Sequence, residues 1–256
     1  MLSGPPVTST ARADQLLERF LSSSPRQRRS LVESIEQRRD DLLPLIPDQL
    51  DRLDATGDDW AAGLLVQLLL ATGPAGDGEA GETGEGEAFL ARYPAGWLAV
   101  SSAAGLDYAP LQRHLMLQQF EDADRLTSTM LRQLAGSGAE QRGYVFFSEV
   151  AAIPGVDLES LDRLWICYSR GRFGFSVQGR LLQGCNGQWE RLWARLGWKH
   201  EGRWTRYPGS FTWSLAAPEG HMPLVNQLRG VRLMDALLQH PALLQRSNAA
   251  SGRPSG

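Results

Sequence analysis

Six of the chain's eight tryptophans lie at positions 165, 189, 193, 198, 204 and 213. From Arg163 to Arg206 the same stretch carries nine Lys/Arg against only Glu190 and Glu201, a local excess of +7 in a chain whose formal charge is -3. Indole rings beside guanidinium groups suit a ligand that is flat, apolar and anionic at its edge. Three readings of the basic residues are open. They can form a solvated positive face. They can hold phosphates while the aromatics stack on bases. Or they can hold the propionates of a tetrapyrrole. The overall acidity, with a sequence pI of about 5.9, and an acidic glycine-rich stretch argue against a polyanion.

The aromatic run divides in two. Trp189, Leu192, Trp193 and Leu196 repeat at helical spacing, as do Leu161, Leu164, Trp165 and Tyr168, so these three tryptophans are expected in a core. Residues 197–214, GWKHEGRWTRYPGSFTWS, are different. Gly202 and Pro208-Gly209 interrupt helix and sheet alike. No period buries Trp198, Trp204, Tyr207, Phe211 and Trp213 together, so they are expected as an exposed cluster on a loop, which marks a binding surface.

Catalytic signatures are missing. The sequence holds no P-loop, dinucleotide fingerprint, G-x-S-x-G or H-E-x-x-H. His114, His200, His221 and His240 have no second ligand at metal spacing, and Cys167 and Cys185 make no metal or disulfide pattern. They read as reduced core thiols in a reducing compartment. The expectation is a binding protein and no enzyme. Ser148-Glu149 and the carboxylates from Asp157 to Asp162 are assigned to caps and surface.

The elements that must position these residues read as all-α. An N-terminal helical bundle is expected over residues 10–100. Its stripes are Leu16, Leu17, Phe20 and Leu21, then Leu31 and Ile35, then Trp60, Leu64, Leu65 and Leu68. Residues 73–88 hold five acids, no bases and many glycines, and read as an acidic loop inserted before a helix carrying Phe89, Leu90, Tyr93 and Trp97. Small residues at 99–105 mark a boundary, and a second domain spans 104–240. There Leu111 and Leu115, then Ala123, Leu126, Met130, Leu131 and Leu134, form helical stripes. Asp157 is expected to cap the helix carrying Leu161. Phe173, Phe175 and Val177 fit either a short extended piece or the entry to a helix. Val231, Met234, Leu237 and Leu238 make a last helix, and 247–256 read as a disordered tail. The longest apolar run, Leu64–Ala71, contains Gln67 and is too short to span a bilayer. The N-terminus has no apolar signal region, so a frayed end and a cytoplasmic protein are expected.

Three ordered stretches carry a family resemblance: LDRLWICYSRGRFGFSVQ (161–178), RLGWKHEGRW (195–204) and APEGHMP (217–223). Together they resemble the genomes-uncoupled-four (Ycf53-like) family of its cyanobacterial type. The likeness runs from about Gly105 to Leu238. The acidic stretch is not part of that family's pattern. The resemblance implies an all-helical cupped hand with an apolar palm and long loops. It implies protoporphyrin IX and Mg-protoporphyrin IX as ligands, and stimulation of magnesium chelatase through that enzyme's porphyrin-binding large subunit. Some members associate peripherally with thylakoid membrane, and nucleic acid is not a partner. Carried over residue by residue, the ligand-contacting Asn and Arg fall on Asn226 and Arg229, and the key loop tryptophan on Trp204, with Trp213 as its rival. His221, in the Pro218-Glu219-Gly220-His221 motif, is either an axial magnesium ligand or a turn-stabilising residue. The alternative to this reading is a scaffold that binds protein or nucleic acid through the aromatic and basic loop.

Overall fold

A computed structural model describes residues 9–71, 84–224 and 231–250. The helices are α1 Ser9–Ser22, α2 Pro25–Gln37, α3 Arg39–Leu42, α4 Ile46–Leu50, α5 Trp60–Leu70, α6 Gly84–Arg92, α7 Ala109–Met116, α8 Phe120–Ala135, α9 Ser137–Arg142, α10 Gly155–Tyr168, α11 Phe175–Gly184, α12 Trp189–Arg195, α13 Val231–Gln239 and α14 Pro241–Ala250. Between α12 and α13 lies the one hairpin among the described residues, β1 Lys199–His200 and β2 Arg203–Trp204. Among the described residues the fold is therefore all-α apart from four strand residues.

The helix at the centre is α5. Every residue from Trp60 to Leu69 is buried, as expected of a helix that is apolar on all sides. Asp59 caps it by accepting the Ala61 N–H at 3.0 Å. One face meets α1, where Phe20 and Trp60 pack edge to face at 5.8 Å. The other meets α10 so closely that a methyl group on Gly63 would lie 2.0 Å from the Cys167 carbonyl oxygen. Gln67 donates to the Tyr168 carbonyl at 2.7 Å, and Arg163 donates to the Gly57 carbonyl at 2.7 Å. One continuous apolar core runs across residues on both sides of 99–105.

Three local readings need correction. Asp157 does not cap α10, because Pro154 holds that position. Its buried carboxylate turns back to accept the Ala103 N–H at 3.0 Å and the Tyr108 hydroxyl at 2.8 Å, and also pairs with Ser102, tying the 101–108 connection to α10. The acidic-loop reading fails at 84–88, which form the start of α6, while residues 73–83 lie outside the described residues. The tail reading also overshoots at its start, and residues 251–256 lie outside the described residues. Residues 247–250 continue α14, where Ser247 is buried and Asn248 accepts a hydrogen bond from Gln183 at 2.9 Å. Of the two readings for 173–177, helix entry holds from Phe175 onward.

Candidate functional site: a cleft between α8 and the aromatic hairpin

The long helix α8 presents two faces. Phe120, Ala123, Thr127, Met130, Leu131 and Leu134 are buried. Thr127 receives the indole N–H of Trp165 at 3.0 Å. Arg125, Ser128, Thr129 and Arg132 sit on the adjoining face and line a cleft of about 680 Å³. That volume lies in the range of small-molecule sites. Arg132 is oriented by a 2.8 Å hydrogen bond to Thr129. Arg125 is braced by Glu121 at 2.5 Å.

The second wall is the segment Gly143–Val145. Gly143 ends α9 at φ +77°, a conformation that glycine adopts without Cβ strain. Beyond it, Glu149 accepts the Phe146 N–H at 2.8 Å and two contacts from Arg142 at 2.6 and 2.7 Å. The backbone N–H first, then Arg142, hold the Glu149 carboxyl below its usual range. This arrangement fixes the turn that carries Tyr144 and Val145.

Facing them stands the aromatic hairpin. Glu201 and Gly202 both have positive φ, 48° and 77°, so a tight two-residue turn brings Lys199 opposite Trp204. Lys199 Nζ lies 5.4 Å from the centre of the Trp204 ring. Behind the hairpin, Trp204 leans on Trp193 at 5.7 Å. Thr205 donates its N–H to the Trp198 carbonyl at 2.9 Å. Trp204, Thr205, Arg206 and Tyr207 line the cleft, while Leu131, Val145, Leu224 and Leu233 supply apolar lining.

The five loop aromatics therefore do not form one exposed cluster. Trp204 and Tyr207 are each 42% exposed and stand on the cleft wall. Trp198, at 1% exposure, is a core residue whose indole N–H donates to the His221 carbonyl at 2.8 Å. Phe211, at 7%, packs on the His221 ring at 4.8 Å. Trp213 is half-buried, stacks on Phe211 at 5.5 Å and donates to the Pro208 carbonyl. The expectation of solvent-facing rings fails for Trp198 and Phe211 because hairpin and turn contacts bury them without any helical period. Asn226 and Arg229 lie outside the described residues.

His221 is buried with both ring nitrogens engaged. Nδ1 lies 2.6 Å from the Leu196 carbonyl, which fixes it as the donor, and Nε2 accepts a long contact from the Thr212 N–H at 3.4 Å. Burial lowers its pKa, partly offset by the Leu196 hydrogen bond. This is the turn-stabilising role. The Nε2 lone pair meets only that long contact, and no group of three His, Cys, Asp or Glu that could hold a metal occurs among the described residues.

The sequence stretches at 173–178 and 217–223 meet in space. Gln178 donates to the carbonyls of Gly220 and Pro223 at 2.9 and 2.8 Å, and Gly174 donates to that of Met222 at 3.0 Å. They scaffold residues 217–224. Asp124, Arg125 and Arg132 escaped the sequence reading, which followed aromatic neighbours along the chain. The available signal was helical: positions 125, 128, 129 and 132 share one polar face beside the buried stripe of α8.

Residues 101–241 match the family model described as GUN4-like. The chain is 48% identical over 153 residues to a Ycf53-like protein of Synechocystis sp., a match covering 60% of this chain and 66% of that one. It is 40% identical over 141 residues to a protein of Arabidopsis thaliana named tetrapyrrole-binding protein, chloroplastic, covering 52% and 53%. Matched stretches thus span about half to two-thirds of these relatives' length. The solved structure of GUN4 from Chlamydomonas reinhardtii superposes with a TM-score of 0.54 at 37% identity, over 57% of this chain and 95% of that one. With the match running through α7–α13 and over more than half of its residues, this chain belongs to the GUN4-like family.

Proposed function

We propose that this protein is a non-enzymatic tetrapyrrole-binding protein, with protoporphyrin IX and Mg-protoporphyrin IX as its ligands and magnesium chelatase as the enzyme it stimulates. One observation carries the reading. The cleft sets the exposed faces of Trp204 and Tyr207 over an apolar lining and places Arg125, Arg132 and Arg206 around it. A macrocycle buries its faces against the rings and aliphatic groups. Its propionates stay with the guanidinium groups, where charge-assisted hydrogen bonds form without an uncompensated buried charge. The name of the Arabidopsis relative supports the ligand class.

Asn226 and Arg229 are proposed as further ligand contacts on the family spacing alone. The chemistry of magnesium insertion belongs to the chelatase, and the contact is proposed with its porphyrin-binding large subunit. Among the described residues no helix is long and apolar enough to cross a membrane. A cytoplasmic protein, peripheral on thylakoid membrane, is the proposed location.

The test is a titration of the full chain with deuteroporphyrin, followed by tryptophan fluorescence. Quenching that saturates is expected, because Trp204 would lie against the ring. Absence of quenching at tens of micromolar ligand, about the weak end for a dedicated site, would sink the reading. Chelatase stimulation is checked separately, by the initial rate of magnesium insertion with and without this protein.

A further inference from the structure

Among the residues lining the cleft is a buried carboxylate that the proposed macrocycle contacts do not use. Asp124 is buried on α8, and its Oδ1 accepts the N–H of Leu224 at 2.6 Å across 100 residues of sequence. The Tyr207 hydroxyl faces it from the aromatic wall and favours its charged form. Asp124, Tyr207 and Leu224 all line the same cleft. Asp124 thus ties the helical wall to the 217–224 scaffold and borders the exposed aromatic wall.

We propose that Asp124 is a positioning residue for the cleft, holding Tyr207 and Leu224 against α8, and that it takes up a proton when a tetrapyrrole dicarboxylate fills the site. This rests on the tetrapyrrole reading of the cleft.

The groups facing Asp124 set the direction of the effect. From α8 itself, Arg125 favours the carboxylate and Glu121 opposes it. From the aromatic wall, the Tyr207 hydroxyl favours it, and Arg206 lines the same cleft. Leu224 contributes only its backbone N–H, and Leu233 of α13 is apolar. Burial outweighs these and pushes the Asp124 carboxyl up to about 7. A macrocycle laid over the cleft puts an apolar, weakly polarisable medium beside the already buried Asp124 and brings two negative propionates nearer. Both changes favour the neutral acid. The proton comes from solvent and ends on the carboxyl oxygen; no other bond changes. Binding therefore weakens as pH rises.

The experiment uses the full chain and deuteroporphyrin, titrated by fluorescence between about pH 6 and 9, where the ligand's own carboxylates stay ionised. The dissociation constant of the unmodified protein is expected to rise several-fold over that range, at most about tenfold per pH unit. Calorimetry in two buffers of different ionisation enthalpy should show net proton uptake near neutral pH. Asp124→Asn should abolish both the pH dependence and the uptake. Tyr207→Phe, a change at the half-exposed wall, removes a hydroxyl that favours the carboxylate and should move the midpoint to higher pH. An Asp124→Asn profile that parallels the unmodified protein, or binding by the unmodified protein without proton uptake, overturns this inference alone. No binding at any pH overturns the tetrapyrrole reading and this inference with it.

Discussion

Trp198 lies stacked on Trp193, their ring centroids 5.5 Å apart and their planes 11° from parallel. Both rings are buried, and the half-exposed Trp204 leans on the same Trp193. A solvent-facing tryptophan is thus seated on a core of two others. The two kinds of ring should respond differently to substitution. Trp204→Ala should weaken deuteroporphyrin binding by about 1–3 kcal/mol, roughly tenfold or more, with little change in thermal unfolding. Trp198→Ala should instead destabilise the fold by about 3–5 kcal/mol and leave the His221 carbonyl without its donor. Paired affinity and melting measurements on both variants check this.

Asp124 also governs stability. Its folded-state pKa is raised, by burial first, from 3.8 to about 7. The folded state therefore holds the proton more tightly than the unfolded state does. The associated stability is fully present below the unfolded value and is lost as pH rises through about 7. Asp124→Asn, which stays neutral, should be more stable than the unmodified protein near pH 8 by on the order of 2–4 kcal/mol. The difference should shrink as pH falls toward 5. Thermal unfolding across that range is the measurement, and a constant difference would count against the buried acid.

The His221 ring works in the opposite sense. Burial lowers its pKa, so its contribution is present above the unfolded value of about 6.5. That contribution is lost as pH falls through the lower folded value. Because Nδ1 and Nε2 are both occupied, His221→Ala should reduce stability. It should leave unchanged the ratio of affinities for Mg-bearing and metal-free porphyrin. A selective loss of the Mg-bearing ligand would show that the ring ligates metal.

The contact of α5 with α10 tests how far residues before 99 support the rest. Any side chain at Gly63 meets backbone, with Cys167 carbonyl oxygen 2.0 Å from an added Cβ. Gly63→Ala should cost about 1–3 kcal/mol, and Gly63→Val should cost more. Chemical denaturation with one probe in each half of the chain is expected to report a single weakened transition, because Gln67 and Arg163 tie the halves together.

Helical periodicity made most of the architecture legible. The stripes through Leu64 and Leu68 and through Met130 and Leu134 lie where their spacing placed them, as does Trp193, while Trp189 is half-buried at the edge of the core. The segment between Gly197 and Ser214 was legible only as a place where period fails. Which of its rings face the cleft depends on contacts with distant partners: Trp198 with the His221 carbonyl, Phe211 with the His221 ring, Trp204 with Trp193. Local pattern carries no record of these. The Asp157 misreading has the same origin. Asp beside a helix start suits a cap, but this carboxylate serves Ser102, Ala103 and Tyr108 more than 45 residues upstream. The two arginines of α8 were hidden for a simpler reason: charges on a helix face ordinarily mean solvent.

The last helix has a consequence for how the protein comes to be made. Asp162, fully buried on α10, receives the Ser176 N–H at 2.8 Å and is neutralised by Arg246 Nε at 2.7 Å, while Arg246 also reaches Asp58. Its counter-charge lies 84 residues later in the chain. On a ribosome, α10 leaves the exit tunnel well before α14, and an unpaired carboxylate cannot enter an apolar core at low cost. The packing of α10 against α11 and α5 therefore reaches its final state only once Arg246 has emerged. Pairing Asp162 with Arg246 thus couples the completion of this core to the arrival of α14.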